Sequence, residues 1–303
     1  MVARTVILAP LSLEFEIFLH FSRRDWSATI IPGSIFAVGA VRSSQPTPSL
    51  MSMISRYILL LSWLTPYVYF FNLFSQIMGV DEDWINKPDR PIPSGKVTLN
   101  RAKWRCVIAL LAFLSIPALE PSLLPETLCW VSVVVFLCLT PAGNHWFGKS
   151  CVAMALGVWS LLGASWKAIA PGMPKNERNI LAVSVWAGLL TQIQDLRDVK
   201  GDIAVGRKTM PIVFGDMTTR RVIVALLMPA ALLALWVGDI LSTAPFTLTV
   251  AHVFLAYRVM QIGGPRYDHQ TYMVSHHQFI NVSLMLLVDL HLHFLPDAFF
   301  HVN

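Results

Sequence analysis

The chain has 303 residues, of which 55% are hydrophobic and only 14% charged, and its mean hydropathy is +0.58. Soluble domains carry about 25% charged residues, so this composition excludes an ordinary water-soluble domain and makes lipid the expected solvent. The net charge of +5 and pI near 9.1 do not indicate a nucleic-acid partner, which would call for a basic face on a soluble module.

At the N-terminus the apolar stretch Val6–Leu13 runs into Glu14 and Glu16 with no small-residue cleavage site. No secretory signal peptide is expected there. Apolar runs then follow at 26–41, 56–79, 104–119, 126–141, 150–170, 178–195, 221–240, 244–260 and 277–296, most of them bounded by Pro, Gly or charged clusters. A bilayer core about 30 Å thick takes roughly 17–25 helical residues, so these runs predict about nine transmembrane helices, the shorter ones tilted or half-buried. The expected fold is therefore all-α: a multi-pass membrane bundle forming one domain over residues 1–303.

Lys and Arg are distributed unevenly between the two faces of such a bundle. The face holding the N-terminus and the loops after spans two, four, six and eight carries most of them, from Arg4 to Arg266, whereas the other face has Arg42, Arg56, Lys167, Lys175 and Arg178. The positive-inside rule makes the first face cytosolic. Cys106, Cys129, Cys138 and Cys151 fall in or beside apolar runs without CxxC spacing, so they read as small buried hydrophobes. The histidines are scattered, and His276–His277 and His291/His293 lack the neighbouring carboxylates of a metal site.

Two polar segments interrupt the hydrophobicity, both on the cytosolic face. The first starts inside span two with Asn72 and Gln76, passes through Asp81, Glu82, Asp83, Asn86 and Lys87, and ends in DRPIPSGK from Asp89 to Lys96. On an uninterrupted helix Asn72, Gln76 and Asp83 share a face, and Asp81 and Glu82 point elsewhere. Two amides buried without partners cost a few kcal/mol, so they bind either a ligand or each other across helices.

The second segment leaves span six as QDLRDVKGD, from Gln194 to Asp202, and continues through GRKTMP. Helical spacing puts Asp195, Asp198 and Asp202 in one narrow sector. Three like charges on one face repel unless a cation lies between them, and Mg²⁺ binds through one or two carboxylates plus phosphate oxygens and waters. Arg197, Lys200, Arg207 and Lys208 can supply the anion-binding half. A solvated loop whose charges pair with one another is the competing reading. The two segments lie four spans apart, which suggests two related helix units, roughly 22–141 and 145–260, followed by a final helix.

The segments NKPDRPIPSG and DLRDVKGDIAVGRKTMPIVFG, with the nine-span layout, resemble the UbiA superfamily of intramembrane prenyltransferases from about Ser22 to the last span. Asp195, Asp198, Gly201, Asp202, Gly206, Arg207, Thr209 and Pro211 all fit its second motif. The resemblance implies a bundle around a central cavity and Mg²⁺ as cofactor. It also implies a prenyl diphosphate substrate, ionised to an allylic cation. The first motif departs from the family's NDxxDxxxD: the chain reads SQIMGVDED, with Gln76 where an Asp would stand. That feature and FSRRDWSATIIP are similar to a fungal branch containing membrane-bound sesquiterpene cyclases.

Under this resemblance Asp83, Asp195, Asp198 and Asp202 are the catalytic metal ligands, with Asn72 and Gln76 as further candidates. Lys87, Arg90, Lys149, Arg197 and Lys208 form the diphosphate clamp. The expected activity is cyclisation of farnesyl diphosphate to a sesquiterpene. Transfer of the prenyl group to an aromatic acceptor is the alternative, and a non-enzymatic lipid-binding protein the remote one. The expected location is a membrane, with the endoplasmic reticulum as candidate organelle.

Overall fold

The computed structural model describes residues 2–43, 48–173 and 177–292, with side chains placed from Ser12 onward and, in the last helix, up to Ile280 and at Val282. Lys175, His293 and the end of the last predicted span (293–296) lie outside the described residues, as do the side chains of Arg42 and His291.

Among the described residues the architecture is helical, with one isolated bridge between His145 and Lys208. The helices are α1 (Val2–Ser22), α2 (Ile30–Ser43), α3 (Leu50–Met78), α4 (Val80–Asn86), α5 (Leu99–Ser115), α6 (Leu124–Leu139), α7 (Ala155–Ile169), α8 (Glu177–Leu190), α9 (Asp195–Ala204), α10 (Met210–Phe214), α11 (Asp216–Val222), α12 (Met228–Val237), α13 (Ile240–Thr243), α14 (Pro245–Met260) and α15 (Pro265–Leu292). Each predicted apolar run overlaps one or more of these helices, the last of them as far as Leu292. Four helical stretches are long and apolar enough to cross a membrane: Leu50–Met78, Pro121–Leu139, Phe147–Ile169 and Asp216–Val237. Ile30–Val41 and Pro245–Met260 are apolar but shorter.

Local sequence explains where the elements start and stop. Ser49 caps α3 by accepting a hydrogen bond from the Ser52 N–H, and Thr98 caps α5 in the same way from Arg101. α3 stops at Gly79, and the chain restarts at once as the acidic α4. Similarly, α8 tightens into a 3-10 turn over Thr191–Gln194 before opening as α9. Phe147–Met154 is wound as a wider π-helix that leads into α7. Such turns insert a residue into the helical register and commonly mark functional positions.

The core is built by one face of each long helix. α3 turns Leu60, Trp63, Leu64, Tyr67, Val68 and Phe70 inward at three- and four-residue spacing. α3 packs on α5 and α7, α7 on α6 and α8, α8 on α12, and α15 closes the ring against α2. Gly157 is required where α7 meets α6, because a Cβ there would lie 2.6 Å from the Trp130 ring. Its carbonyl also accepts the Tyr67 hydroxyl proton at 2.9 Å. The outer faces carry exposed Ile108, Leu111, Leu226, Trp236, Phe246 and Val253, a surface suited to lipid. α1 is joined to this bundle by Glu14 to Arg105 (2.6 Å) and by Phe18 against Tyr69.

Candidate active site

The helix breaks after α3 and α8 bring the two polar segments together. α4 lies against α9, and Asn86 joins them: its Nδ2 donates to the Asp198 carbonyl and its Oδ1 accepts from the Gly201 N–H, both at 3.1 Å. A Cβ on Gly201 would fall 2.1 Å from Asn86 Nδ2, so glycine lets the short helices approach.

Around this junction five carboxylates (Glu82, Asp83, Asp195, Asp198, Asp202) meet five cations (Lys87, Arg90, Lys149, Arg197, Arg207). Arg90 Nη1 reaches both Asp83 oxygens at 2.7 and 2.8 Å. Lys149 Nζ is 2.6 Å from Asp195 Oδ1, and Lys87 Nζ is 3.6 Å from Asp198 Oδ2. Arg207 bridges Glu82 at 2.6 Å and Asp202 at 3.3 Å. Arg197 contacts Asp198 and stacks over the Tyr272 ring at 4.3 Å.

Burial and these pairings set the protonation tendencies. Burial pushes the Asp83 and Asp202 carboxyls above the usual range, outweighing Arg90 at the first and Lys149 at the second. Asp198 is buried too, but Lys87, Arg197 and Lys149 overcome that and hold its carboxyl below the usual range. Burial, reinforced by Arg90, lowers the Lys87 ammonium.

The cluster forms the mouth of a cavity of about 1340 Å³. Asn72, Glu82, Asp83, Lys87, Arg90, Lys149, Arg197, Asp198 and Arg207 line its polar part. Its apolar part is walled by Tyr67, Phe71, Trp130, Leu161, Trp186 and Phe279. Hydrogen bonds fix several of these rings: Trp130 donates to the Tyr67 carbonyl at 2.9 Å and stacks on the Tyr67 ring at 4.1 Å, and Trp186 donates to His252 Nε2 at 2.8 Å.

Not every expected site residue reaches the cavity wall. Asp195 and Asp202 are completely buried behind it, each with one carboxylate oxygen lacking a hydrogen-bond partner. Gln76 is buried one turn beyond Asn72, and its Oε1 also lacks a partner. Lys208 is exposed, with its backbone paired to Asn144 and Trp146. Arg207 stands at the ion pairs in its place. Glu82 belongs to the cluster, whereas the sequence turned it away. The reason is the break at Gly79, which resets the helical phase so that α4 does not continue the wheel of α3.

Among the described residues no three His, Cys, Asp or Glu side chains converge to hold a metal by themselves. The donor set nonetheless suits Mg²⁺, which takes one or two carboxylates and completes its shell with phosphate and water. The unpartnered oxygens of Asp195 and Asp202 are hard, buried donors of the required kind.

A family model described as the UbiA prenyltransferase family matches residues 31–281. The chain belongs to the UbiA prenyltransferase family. Within the family it is 56% identical over 283 residues to the diterpene cyclase eriG of Hericium erinaceus, covering 93% of this chain and 91% of that protein. It is 55% identical over 285 residues to the polyprenyl transferase eriF of the same fungus, with 94% and 98% covered. The structure of a UbiA homolog from Archaeoglobus fulgidus bound to GPP and Mg²⁺ superposes with a TM-score of 0.61 at 14% identity, covering 90% of this chain and 99% of that one. That likeness establishes the UbiA fold. The protein is an enzyme of the terpene cyclase and prenyltransferase type.

Proposed function

We propose that this UbiA protein is a Mg²⁺-dependent intramembrane terpene cyclase acting on geranylgeranyl diphosphate. The observation that carries the reading is the division of one cavity into a mouth of paired carboxylates and cations and an interior of oriented aromatic rings. Asp83 and Asp198, backed by Asp195 and Asp202, would hold the metal. Arg90, Lys87, Lys149, Arg197 and Arg207 would take the phosphate oxygens. When bound, Mg²⁺ supplies positive charge to the diphosphate as it leaves. The cations of the clamp would act with it on the same developing charge. Tyr67, Trp130, Trp186 and Phe279 then face the hydrocarbon, where their π surfaces favour cationic carbon.

The relatives named for diterpene cyclisation and polyprenyl transfer move the proposed substrate from farnesyl to the longer geranylgeranyl chain. Farnesyl diphosphate stays as a comparison substrate, because a bergamotene synthase of Aspergillus fumigatus is 26% identical over 285 residues. Transfer to an aromatic acceptor is the second reading, favoured by the likeness to eriF and sharing the same ionisation step. The Lys/Arg asymmetry fits a multi-pass arrangement with both motif segments in the cytosol, and the endoplasmic reticulum is the candidate host membrane.

The test is incubation of the purified protein with Mg²⁺ and each diphosphate, without acceptor, measuring diphosphate release and hydrocarbon product. A cyclic diterpene is the expected outcome. Turnover only after an aromatic acceptor is added would establish transfer instead. No diphosphate release under either condition would refute a prenyl diphosphate as the substrate.

A further inference from the structure

Ionisation creates a carbocation, and both cyclisation to an alkene and substitution on an aromatic ring end by losing a proton. The mouth of the cavity is poorly placed to take it. Its lysine and arginine side chains are paired with its carboxylates. Along α15, His269, Tyr272, Met273, His276 and Phe279 all line the cavity at helical spacing. His269 Nδ1 lies 2.5 Å from Arg197, at the charged mouth. Phe279 stacks on Trp186 at the aromatic end. At 1.5 Å per residue, His276 stands roughly 10 Å beyond His269 and about 4.5 Å short of Phe279. It therefore sits between the place where charge is released and the place where the hydrocarbon lies.

The setting of His276 suits a base. Its Nδ1 is 3.2 Å from Ser27 Oγ, and its ring is held edge-on to Tyr272 with centroids 4.2 Å apart. That leaves Nε2 without a hydrogen-bond partner among the described residues. Asp25, on the same 3-10 segment as Ser27, lines the same wall.

We propose that His276 is the catalytic residue that accepts the terminating proton. Nε2 takes a hydrogen from the carbon beside the cationic centre, and the electron pair of that C–H bond becomes the new C=C bond. The imidazolium then returns the proton to water or to the released diphosphate. The net reaction is prenyl diphosphate to cyclic alkene, diphosphate and one proton. This inference rests on the cyclase reading, and in the transfer reading the same nitrogen would take the proton from the substituted ring carbon.

The experiment compares wild type, His276→Phe, His276→Gln and Ser27→Ala with geranylgeranyl diphosphate and Mg²⁺, recording diphosphate release and product composition in the same reaction. His276→Phe keeps the ring packing on Tyr272 and removes the base, and His276→Gln keeps a polar partner for Ser27 without a basic nitrogen. Either histidine variant that folds is expected to release diphosphate within a fewfold of wild type. The native alkene should fall roughly 100-fold relative to alcohols and isomeric alkenes, the scale of a positioned proton transfer. Ser27→Ala retains the imidazole and should keep the native product. An unchanged product composition in a histidine variant would overturn the assignment and leave the departing diphosphate or Asp25 as acceptor. The same redistribution in Ser27→Ala would also overturn it, showing that His276 only anchors the segment. Absence of diphosphate release by wild type would instead refute the reading of function on which this one rests.

Discussion

Among the acidic residues of the two motifs, Asp198 has surroundings that favour its charge: three cations outweigh its burial, and it lines the cavity from a helix that Asn86 holds in place. Asp195 is fully buried behind it, salt-bridged through one oxygen and unpartnered at the other. Asp195→Ala and Asp198→Ala are each expected to slow turnover by roughly 30- to 1000-fold, equivalent to about 2–4 kcal/mol of transition-state stabilisation. Expression and membrane insertion should stay intact, as immunoblotting of membrane fractions would show, and near-normal rates at saturating Mg²⁺ would remove the metal assignment. Gln76→Leu removes an amide oxygen that has no partner. Thermal stability should hold or rise by about 1 kcal/mol, and the rate should need more Mg²⁺ to saturate. An unchanged Mg²⁺ curve would assign Gln76 to packing. These residues differ in how readable they were. Asp195, Asp198 and Asp202 share one short helix, so spacing placed them on one side. Asp83 and Glu82 follow a break that spacing cannot show, and Glu82 was misplaced for that reason.

The junction of α4 and α9 depends on one pair of residues, Asn86 and Gly201, from segments far apart in the chain. Asn86→Ala removes the bridging amide, and Gly201→Ala pushes that amide away with a methyl group. Each substitution alone is expected to lower the rate about tenfold, equivalent to roughly 1.4 kcal/mol, by loosening the placement of Asp83 against Asp198. The double variant should be no worse than the poorer single one, because both remove the same contact. Strictly additive losses in a double-mutant cycle would disprove the shared cause. Long apolar helices were legible at this scale, since hydrophobic length alone identifies them. The 3-10 turn before α9 and the π-helical start of α7 were not, because each is a small change of winding without a distinctive residue signature. The packing of α4 on α9 was anticipated only as a pairing of two loops.

At the scale of the molecule, each predicted apolar run overlaps a helix among the described residues, yet only four stretches of those residues satisfy length and apolarity together. The others are short, as α8 is, or carry polar residues that line the cavity, as α15 does. This is the expected cost of a polar cavity in lipid: the helices that build the site lose the hydropathy that would mark them. Single cysteines introduced at 80–100 and at 200–218 should both be labelled by an impermeant reagent from the cytosolic face. Labelling from opposite faces would dismantle the shared site. The balanced ion pairs at the mouth have one further consequence. Arrival of a metal–diphosphate complex would be a double exchange, in which carboxylates would pass from lysine and arginine to the divalent ion while the released cations would pass to phosphate. Each guest vacates the partner that the other needs, so the two must bind synergistically, and thermodynamic reciprocity makes the enhancement equal in both directions. Calorimetric titration with inorganic pyrophosphate should show an affinity weaker by at least about tenfold when EDTA replaces Mg²⁺, a coupling of roughly 1.4 kcal/mol. By the same linkage, pyrophosphate should inhibit the enzyme more strongly as free Mg²⁺ rises, so that product release would depend on the supply of the ion.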